Sequence, residues 1–363
     1  MFSVNKVLRQ IVSIIPPPEF ILMPAAAVDI SDSSIKYIDT KYTSAGFVPN
    51  NFKTFELAKG IVSSGIINDT VALADVLKQI VEDKSTRKFV FVSLPEELSY
   101  VFTTSIRMEK QFDIYKAIEF ELEEHVPVSV KDAIFDYDVI SEQYGILDLS
   151  VTVYEKNVIN GYLEAFNMAG LTVKAFELEA NSLIRSVVPK YSTETSMVVD
   201  FGRARTGITI ARGGNSIFTT TVHFGGGMID EIIMKKMEYN QQQSNIYKSE
   251  KGLLDKTNKQ FQKELISSVK ILSNEIKRHY DFWSSRRDEN GFPKEQIKKI
   301  YICGGASALL GLKEFLTDEL NVPVDYANVW QNLFDINDYI PDIEPDKSRQ
   351  YATAIGLLLL DSI

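Results

Sequence analysis

A single cysteine, Cys303, stands in a chain of 363 residues, so no intrachain disulfide framework is possible and a reducing, cytoplasmic compartment is expected. Histidine is almost as scarce. His125, His223 and His279 lie far apart with no ligand spacing around them, which gives no sign of a histidine-cysteine metal centre. No apolar run approaches the roughly 18–20 residues of a membrane span, and polar residues break the segment 1–15 too often for a signal-peptide core. Basic residues are the minority, 39 against 49 acidic, for a net charge of −10. Nucleic acid, whose phosphates require a cationic footprint, is therefore set aside as a ligand. Glycine and proline, 19 and 12 in number, are too few for a low-complexity chain.

What is present is enough apolar sequence, 45% of residues, to bury a sizeable core, and enough length for two domains or one bilobal unit. The chain opens with an amphipathic pattern: Val4, Val7, Leu8, Ile11, Ile14 and Ile15 fall on one helical face, and Pro16, Pro17 and Pro18 stop it. Such a helix either lies on a membrane surface or in a partner's groove, with Lys6 and Arg9 favouring anionic lipid, or packs on its own domain.

Two segments share a shape. Residues 27–38 and 197–210 each read as a buried strand ending in an Asp (Asp29, Asp200), a tight polar turn, and an alternating strand that returns. This duplication predicts two similar lobes. The second hairpin continues through a Gly213-Gly214 turn into a strand over 216–223, then Gly225-Gly226-Gly227 and a helix over 228–239. The glycines serve either to end the strand or to let backbone approach a ligand. The polar stretch 241–260 reads as a loop with a short helix, and 261–283 as a long helix. Residues 299–303 form a buried strand that runs into Gly304-Gly305 and a helix, 335–346 a Pro/Asp-rich loop, and 351–360 an apolar helix.

Between the repeats lies a module of different grammar: strands at 89–94 and 99–106, an acidic amphipathic helix over 112–125 halted by Pro127, paired strands at 133–140 and 146–154, and a closing helix over 156–169. It reads as a strand-helix-strand-strand insertion in the first lobe.

Two facing hairpin turns offer nests of backbone N–H groups for phosphate oxygens, and an Asp at each lip can hold the water shell of Mg²⁺. A Gly-Gly strand-to-helix turn gives backbone access to a base or ribose. Each element alone is ordinary; their order is specific.

In that order the chain resembles the actin-like ATPase superfamily and, within it, the type IV pilus assembly PilM family, over about residues 25–363. The resemblance implies an α/β actin-like fold of two ribonuclease-H-like lobes, divided as 1–24 (N-terminal helix and prolines), 25–93 (lobe I), 94–176 (inserted subdomain), 177–195 (connecting helix of lobe I), 196–345 (lobe II) and 346–363 (C-terminal helix returning to lobe I). It implies ATP and Mg²⁺ as cofactors. Asp29, Ser31, Ser33, Ser34 and Lys36 match the first phosphate loop, Asp200, Gly202, Arg203 and Thr206 the second, and Gly304, Gly305 and Ala306 the adenosine motif. Asp29 and Asp200 are the implied metal residues. Glu177, in Phe176-Glu177-Leu178-Glu179-Ala180, matches the water-orienting residue and with Asp200 makes the catalytic set, while Glu275 and Arg278 would flank the adenosine.

Narrowing to PilM rests on Leu94-Pro95-Glu96-Glu97-Leu98, the segment 117–128, and Phe135-Asp136-Tyr137-Asp138-Val139-Ile140. Such proteins are implied to sit in the cytoplasm under the inner membrane and to bind the cytoplasmic tail of a PilN-like membrane protein between lobe I and the subdomain, with a homo-oligomer or filament possible. The groove candidates are 135–140, the helix end around 125–128, the 94–98 turn and the acids Glu121, Glu123 and Glu124. ATP turnover is expected to be slow at most. The alternatives are an FtsA-like division protein, a type II secretion cytoplasmic protein, or a small-molecule kinase. One departure stands out: where the family has Gly and then Ser or Thr after the Asp-x pair, this chain has Ser31 and Asp32, the latter adding negative charge near the phosphates. Arg203 and Arg205 either pair Asp32, pair the phosphates, or are solvated.

Overall fold

All five residues of β1 (Ala26–Ile30) are buried, including the penultimate Asp29, so this strand belongs in the middle of a sheet covered on both faces. In the computed structural model, which describes residues 24–43, 46–108, 113–287 and 295–362, that is its place. β2 (Ser34–Thr43) and β3 (Gly46–Glu56) follow antiparallel on one side. A short hairpin, β4 (Val62–Ser63) and β5 (Ile66–Ile67), leads to α1 (Thr70–Glu82), whose first turn is capped by Asp69. β6 (Phe89–Leu94) then pairs parallel with β1.

Lobe II repeats the plan. β11 (Ser196–Phe201), β12 (Thr206–Arg212) and β13 (Asn215–Val222) are antiparallel neighbours, and β14 (Lys299–Cys303) and β15 (Val324–Tyr326) add parallel strands on the other side of β11. The strand orders β3-β2-β1-β6-β10 and β13-β12-β11-β14-β15 are the same topology twice, with β10 (Thr172–Leu178) closing the first sheet. The duplication read from the two Asp hairpins is a duplication of whole sheets.

The inserted subdomain has the expected strand-helix-strand-strand order: β7 (Ser99–Arg107), α2 (Ile114–His125), β8 (Ala133–Gln143) and β9 (Ile146–Glu155), in a sheet ordered β7-β9-β8. It has its own small core, in which Ile118 and Leu122 of α2 meet Leu149, Val151 and Val153 of β9. Its extent corrects the expected 94–176. The closing helix α3 (Lys156–Ala169) sends Tyr162 and Phe166 into the lobe I core against Leu73 and Leu77 of α1, and β10 pairs with β6. Both belong to lobe I, leaving about 99–155 as the insertion. A strand that buries one face against a distant sheet carries no local mark of which sheet it joins.

Between the two sheets lie α4 (Glu179–Val187) and α10 (Ala352–Leu358), the connecting helices. Ala27, Ile38 and Phe91 of sheet I, Val198, Ala211 and Cys303 of sheet II, and Leu183, Ile184, Ile355 and Leu357 of the helices make one shared core. The other face of sheet II packs on α5 (Gly226–Met237) and α7 (Lys259–Ser285) through Ile229, Ile233, Leu265, Val269 and Leu272. The polar stretch after α5 holds α6 (Gln241–Glu250), nucleated by a capping box in which Asn240 and Gln243 bond reciprocally. The chain continues through α8 (Leu312–Leu320) and α9 (Pro345–Ser348). The expected amphipathic helix at 1–15 and its prolines lie outside the described residues. No helix among the described residues is long and apolar enough to cross a membrane.

Candidate functional site

The duplicated sheets set their Asp hairpins face to face. Asp29 is paired in register with Lys36 across the first hairpin, and Lys36 Nζ lies 2.9 Å from Asp29 Oδ2 while Ser93 Oγ donates to Oδ1 at 2.8 Å. Asp200 occupies the same position in lobe II, opposite Gly207 and beside Cys303. Between the two opens a cavity of about 240 Å³ whose walls include Asp29, Ser33, Lys36, Asp200, Gly202 and Gly304. Ser31, Ser34, Arg203, Gly305 and Ala306 line it as well.

The glycine turns fit their positions for definite reasons. Gly304 has φ +86, and a Cβ there would stand 2.2 Å from Asp200 Oδ1 and 2.5 Å from Phe201 O. Only glycine lets the loop at 304–307 pass this close to the second Asp hairpin. The loop is then fixed by Arg349, whose backbone carbonyl accepts from Gly304 N at 3.1 Å and whose Nε donates to Ser307 Oγ at 2.9 Å. The triplet at 225–227 serves the chain's own packing: a Cβ on Gly225 would meet Arg203 O at 2.3 Å, and Gly226 and Gly227 donate to Gly202 O and Arg203 O. Thr206 likewise bonds Phe224 O, so it braces the turn from within.

Charge in the cleft is unbalanced. The acids Asp29, Asp32, Glu56, Glu96, Glu179, Asp200 and Asp230 outnumber the bases Lys36, Arg203, Arg205, Lys248 and Arg349 along its walls. Burial works against the Lys36 ammonium, but Asp29, helped by Asp200 and Glu179, outweighs it and holds its pKa above the ordinary value. Burial pushes Asp200 up to about 6 despite Lys36, and pushes Glu179 well above the usual carboxylate range, with Asp29 adding to the effect. The first turn is also partly closed on itself, since Ser31 N donates to Ser34 O and Ser34 N to Ser31 Oγ.

Two expected placements are corrected. Glu177 lies on β10, where it is ion-paired to Arg185 at 3.0 Å and lines a different cavity; the acid that reaches the cleft is Glu179, the first residue of α4. The chain changes from strand to helix between them, so the two side chains diverge. Glu275 and Arg278 pair with each other on the outer side of α7, because the helix turns Leu272 and Ile276 toward sheet II. On the lobe II wall their place is taken by Asp230 of α5 and Gln241, Asn245 and Lys248 of α6. Lys248 Nζ and Ser244 Oγ hold Asp230 at 2.5 and 2.8 Å. The Asn240 capping box was the available sequence signal for α6.

The second cavity, about 280 Å³, lies between the edge strands β8 and β10. Leu94, Ile134, Phe176 and Leu178 supply apolar walls and Asp136, Asp138 and Glu177 acid ones. Of the groove candidates, the 135–140 strand and Leu94 are there; the helix end is not, for His125 stacks on Phe102 at 4.4 Å and sits near Glu121, on the far side of the subdomain sheet. Asn181, two residues beyond Glu179, bonds Asp138 in this groove and accepts from Ser216 Oγ of lobe II. The root of α4 thus touches both cavities.

Glu96 links the lobes, accepting from Thr219 and Thr221 of β13 at 2.7 and 2.8 Å. Burial, only partly offset by those hydroxyls, pushes it up to about 7 from an ordinary 4.5. Between these values the folded chain keeps a proton that the unfolded chain has released, so stability falls as pH rises, by at most about 1.4 kcal/mol per pH unit, and levels off above about 7. Glu96→Gln removes the titration. Its melting temperature relative to wild type is expected to climb from about pH 5 to 7 and then hold; a difference independent of pH would mean that Glu96 is charged throughout.

The family model for the type IV pilus assembly protein PilM matches residues 27–361. No curated protein matches the sequence. Among solved structures, the chain is similar to the PilM-PilN type IV pilus biogenesis complex, with TM-score 0.74 and 18% identity over 93% of this chain and 98% of that one. It is also similar to the ethanolamine utilization protein EutJ from Carboxydothermus hydrogenoformans (TM-score 0.52, 13% identity, 95% and 90% covered) and to MreB5 of Spiroplasma citri bound to ADP (TM-score 0.52, 13% identity, 94% and 97% covered). At these identities the likeness is one of fold: an actin-like α/β architecture.

Proposed function

The chain belongs to the type IV pilus assembly protein PilM family, whose model spans it almost from end to end, and from that premise we propose that it is a nucleotide-binding adaptor at the cytoplasmic face of the inner membrane that holds the tail of a PilN-like protein. The observation that carries the reading is the pair of cavities meeting at the root of α4, one polar and built from the duplicated Asp hairpins, the other a seam between two open strand edges. An extended tail docks by adding a strand to such an edge, with alternate side chains in pockets. Asp136, Asp138 and Glu177 favour a tail that carries Lys or Arg.

In the cleft, Lys36 supplies the cation for phosphate oxygens, and the Asp230, Asn245 and Lys248 wall suits the hydroxyls of a ribose. The donor set fits Mg²⁺, which keeps most of its waters and takes few carboxylates, through Asp29 and Asp200. When bound, the ion neutralises phosphate charge that this acidic cleft would otherwise repel. Among the described residues there is no group of three or more His, Cys, Asp or Glu that could hold a metal by itself. Glu179 is the residue placed to orient water.

Calorimetry with ADP and ATP in the presence of Mg²⁺ tests the cleft. Binding is expected in wild type and is expected to weaken at least about tenfold in Lys36→Ala, which removes one charge-assisted contact; folded protein that takes up neither nucleotide at millimolar concentration rejects the reading. Phosphate release is expected to fall far below the roughly 1–100 per second of kinases, because burial holds Glu179 well above the usual carboxylate range and so leaves it a poor base. A rate in that range, unchanged in Glu179→Gln, would contradict both the slowness and the assignment.

A further inference from the structure

Arg205 leaves the β11–β12 turn of lobe II and crosses the cleft to three separate segments of lobe I. Its Nη1 is 3.0 Å from Asp32 Oδ1 in the β1–β2 turn, its Nε 2.5 Å from Glu97 Oε1 at the root of the inserted subdomain, and its Nη2 3.9 Å from Glu179 Oε2 at the start of α4. The side chain is only 14% exposed, so water screens these contacts little. Asp32 is itself anchored, accepting from Ser64 N at 3.1 Å and Gly65 N at 3.3 Å, so it turns toward lobe I backbone and the arginine. Beside this cluster, Glu96 bonds two threonines of lobe II.

A cleft between two lobes can be closed by an anion that both walls grip. Here the walls grip each other. A guanidinium is always charged, and its planar fork can engage several carboxylates at once. Taking away one partner of such a buried set leaves the others uncompensated, which favours the open arrangement where water can reach them. Ser31 and Asp32, which replace the small residues expected in the first phosphate loop, acquire a reason: Asp32 is the lobe I half of a contact whose other half is Arg205.

We propose that Arg205 is an inter-lobe clasp that holds the cleft closed with the chain's own charges, in place of a bound anion. An entering phosphate competes with Asp32 and Glu97 for the same guanidinium. Since Glu97 stands where the chain enters the subdomain, loosening the clasp frees the segment that positions the β8–β10 groove. The clasp does not depend on the nucleotide reading.

The test is hydrogen exchange on the full ligand-free chain, read by segment, with solution scattering on the same samples. In Arg205→Gln the amides of 30–34, 96–99 and 200–207 are expected to exchange at least about tenfold faster, and the radius of gyration to rise, while α7 and α3 keep wild-type protection. Arg205→Lys, which keeps the charge and loses the fork, is expected to fall between. Unchanged exchange in those segments overturns the proposal, as does a uniform rise across both lobes, which would make Arg205 a general fold determinant. Should Arg205→Gln fail to fold, the double change Asp32→Asn and Glu97→Gln removes the two nearer carboxylates instead and must produce the same local loss. Adding ADP with Mg²⁺ to wild type is a separate arm: absence of binding removes the nucleotide reading and leaves the clasp result intact.

Discussion

Gly356→Val is expected to yield almost no folded protein, and even Gly356→Ala to be severely destabilised. Gly356 lies in α10 where that helix crosses α4 between the two sheets, and a Cβ there would stand 1.7 Å from Ser182 O and 2.5 Å from Ser182 C. The obstacle is backbone, which cannot swing aside as a side chain can. Relief requires the helices to separate, and they are held by Leu183, Ile184, Ile355 and Leu357 in the core shared by both lobes, and by Arg185, which donates to Gly356 O at 3.2 Å. Overpacking a tight core costs about 1–3 kcal/mol and at times more; a contact this short belongs at or beyond the upper end, against a total stability of about 5–15 kcal/mol. Gly305→Ala is the control, because its Cβ would meet nothing nearer than Gln350 Cβ at 3.7 Å. Thermal melts of the two alanine variants decide the matter. A Gly356→Ala protein that melts within about 1 °C of wild type, a change of under about 1 kcal/mol for a chain of this length, would mean that the helices do not cross this closely in solution.

Excising residues 100–153 and joining the ends with a short glycine linker is expected to abolish binding of a synthetic PilN-like cytoplasmic tail, a loss of at least about 100-fold by the scale of a lost strand-addition site, and to leave nucleotide calorimetry unchanged. The cut suits the fold. Ser99 and Tyr154 are register partners across β7 and β9, so the ends already lie side by side. The subdomain carries its own core. Tyr154, which donates to the carbonyls of Leu94 and Pro95 at 3.2 Å, is kept, as are Glu96 and Glu97. A longer excision reaching Leu171 would instead strip Tyr162 and Phe166 from the lobe I core and could not be interpreted. Across the junction the cut severs the hydrogen bonds from Ser150 Oγ to Ser216 O, from Asn181 to Asp138 and from Lys156 N to Asp132 O, and removes Val101 from the edge of the lobe I core. If the shortened chain binds the tail as tightly as wild type, the groove is not the docking site, and the amphipathic pattern read at residues 4–15 becomes the candidate.

The sequence by itself determined the parts whose physics is local. Asp29 and Asp200 end buried apolar runs and are followed by turn residues and alternating strands, so both hairpins, and the duplication they imply, were legible before any tertiary contact was known. Gly304 announced a close backbone approach, and the strand-helix-strand-strand grammar of the insertion was legible in its order. The tertiary structure decided what depends on pairing and on helix rotation. Whether β10 joins the subdomain or lobe I is settled by its ladder with β6, which forms across the length of the insertion. Whether Glu177 or Glu179 enters the cleft depends on where that strand gives way to α4, a boundary that local propensity fixes only to within a few residues. Glu275 and Arg278 share a helix face, but only the packing of Leu272 and Ile276 on sheet II shows that the face is turned outward, leaving Asp230 and Lys248 at the cleft wall. Arg205 had three open readings in sequence, and its ion pair with Asp32 exists because duplicated sheets bring two turns, 173 positions apart, to face each other across one cleft.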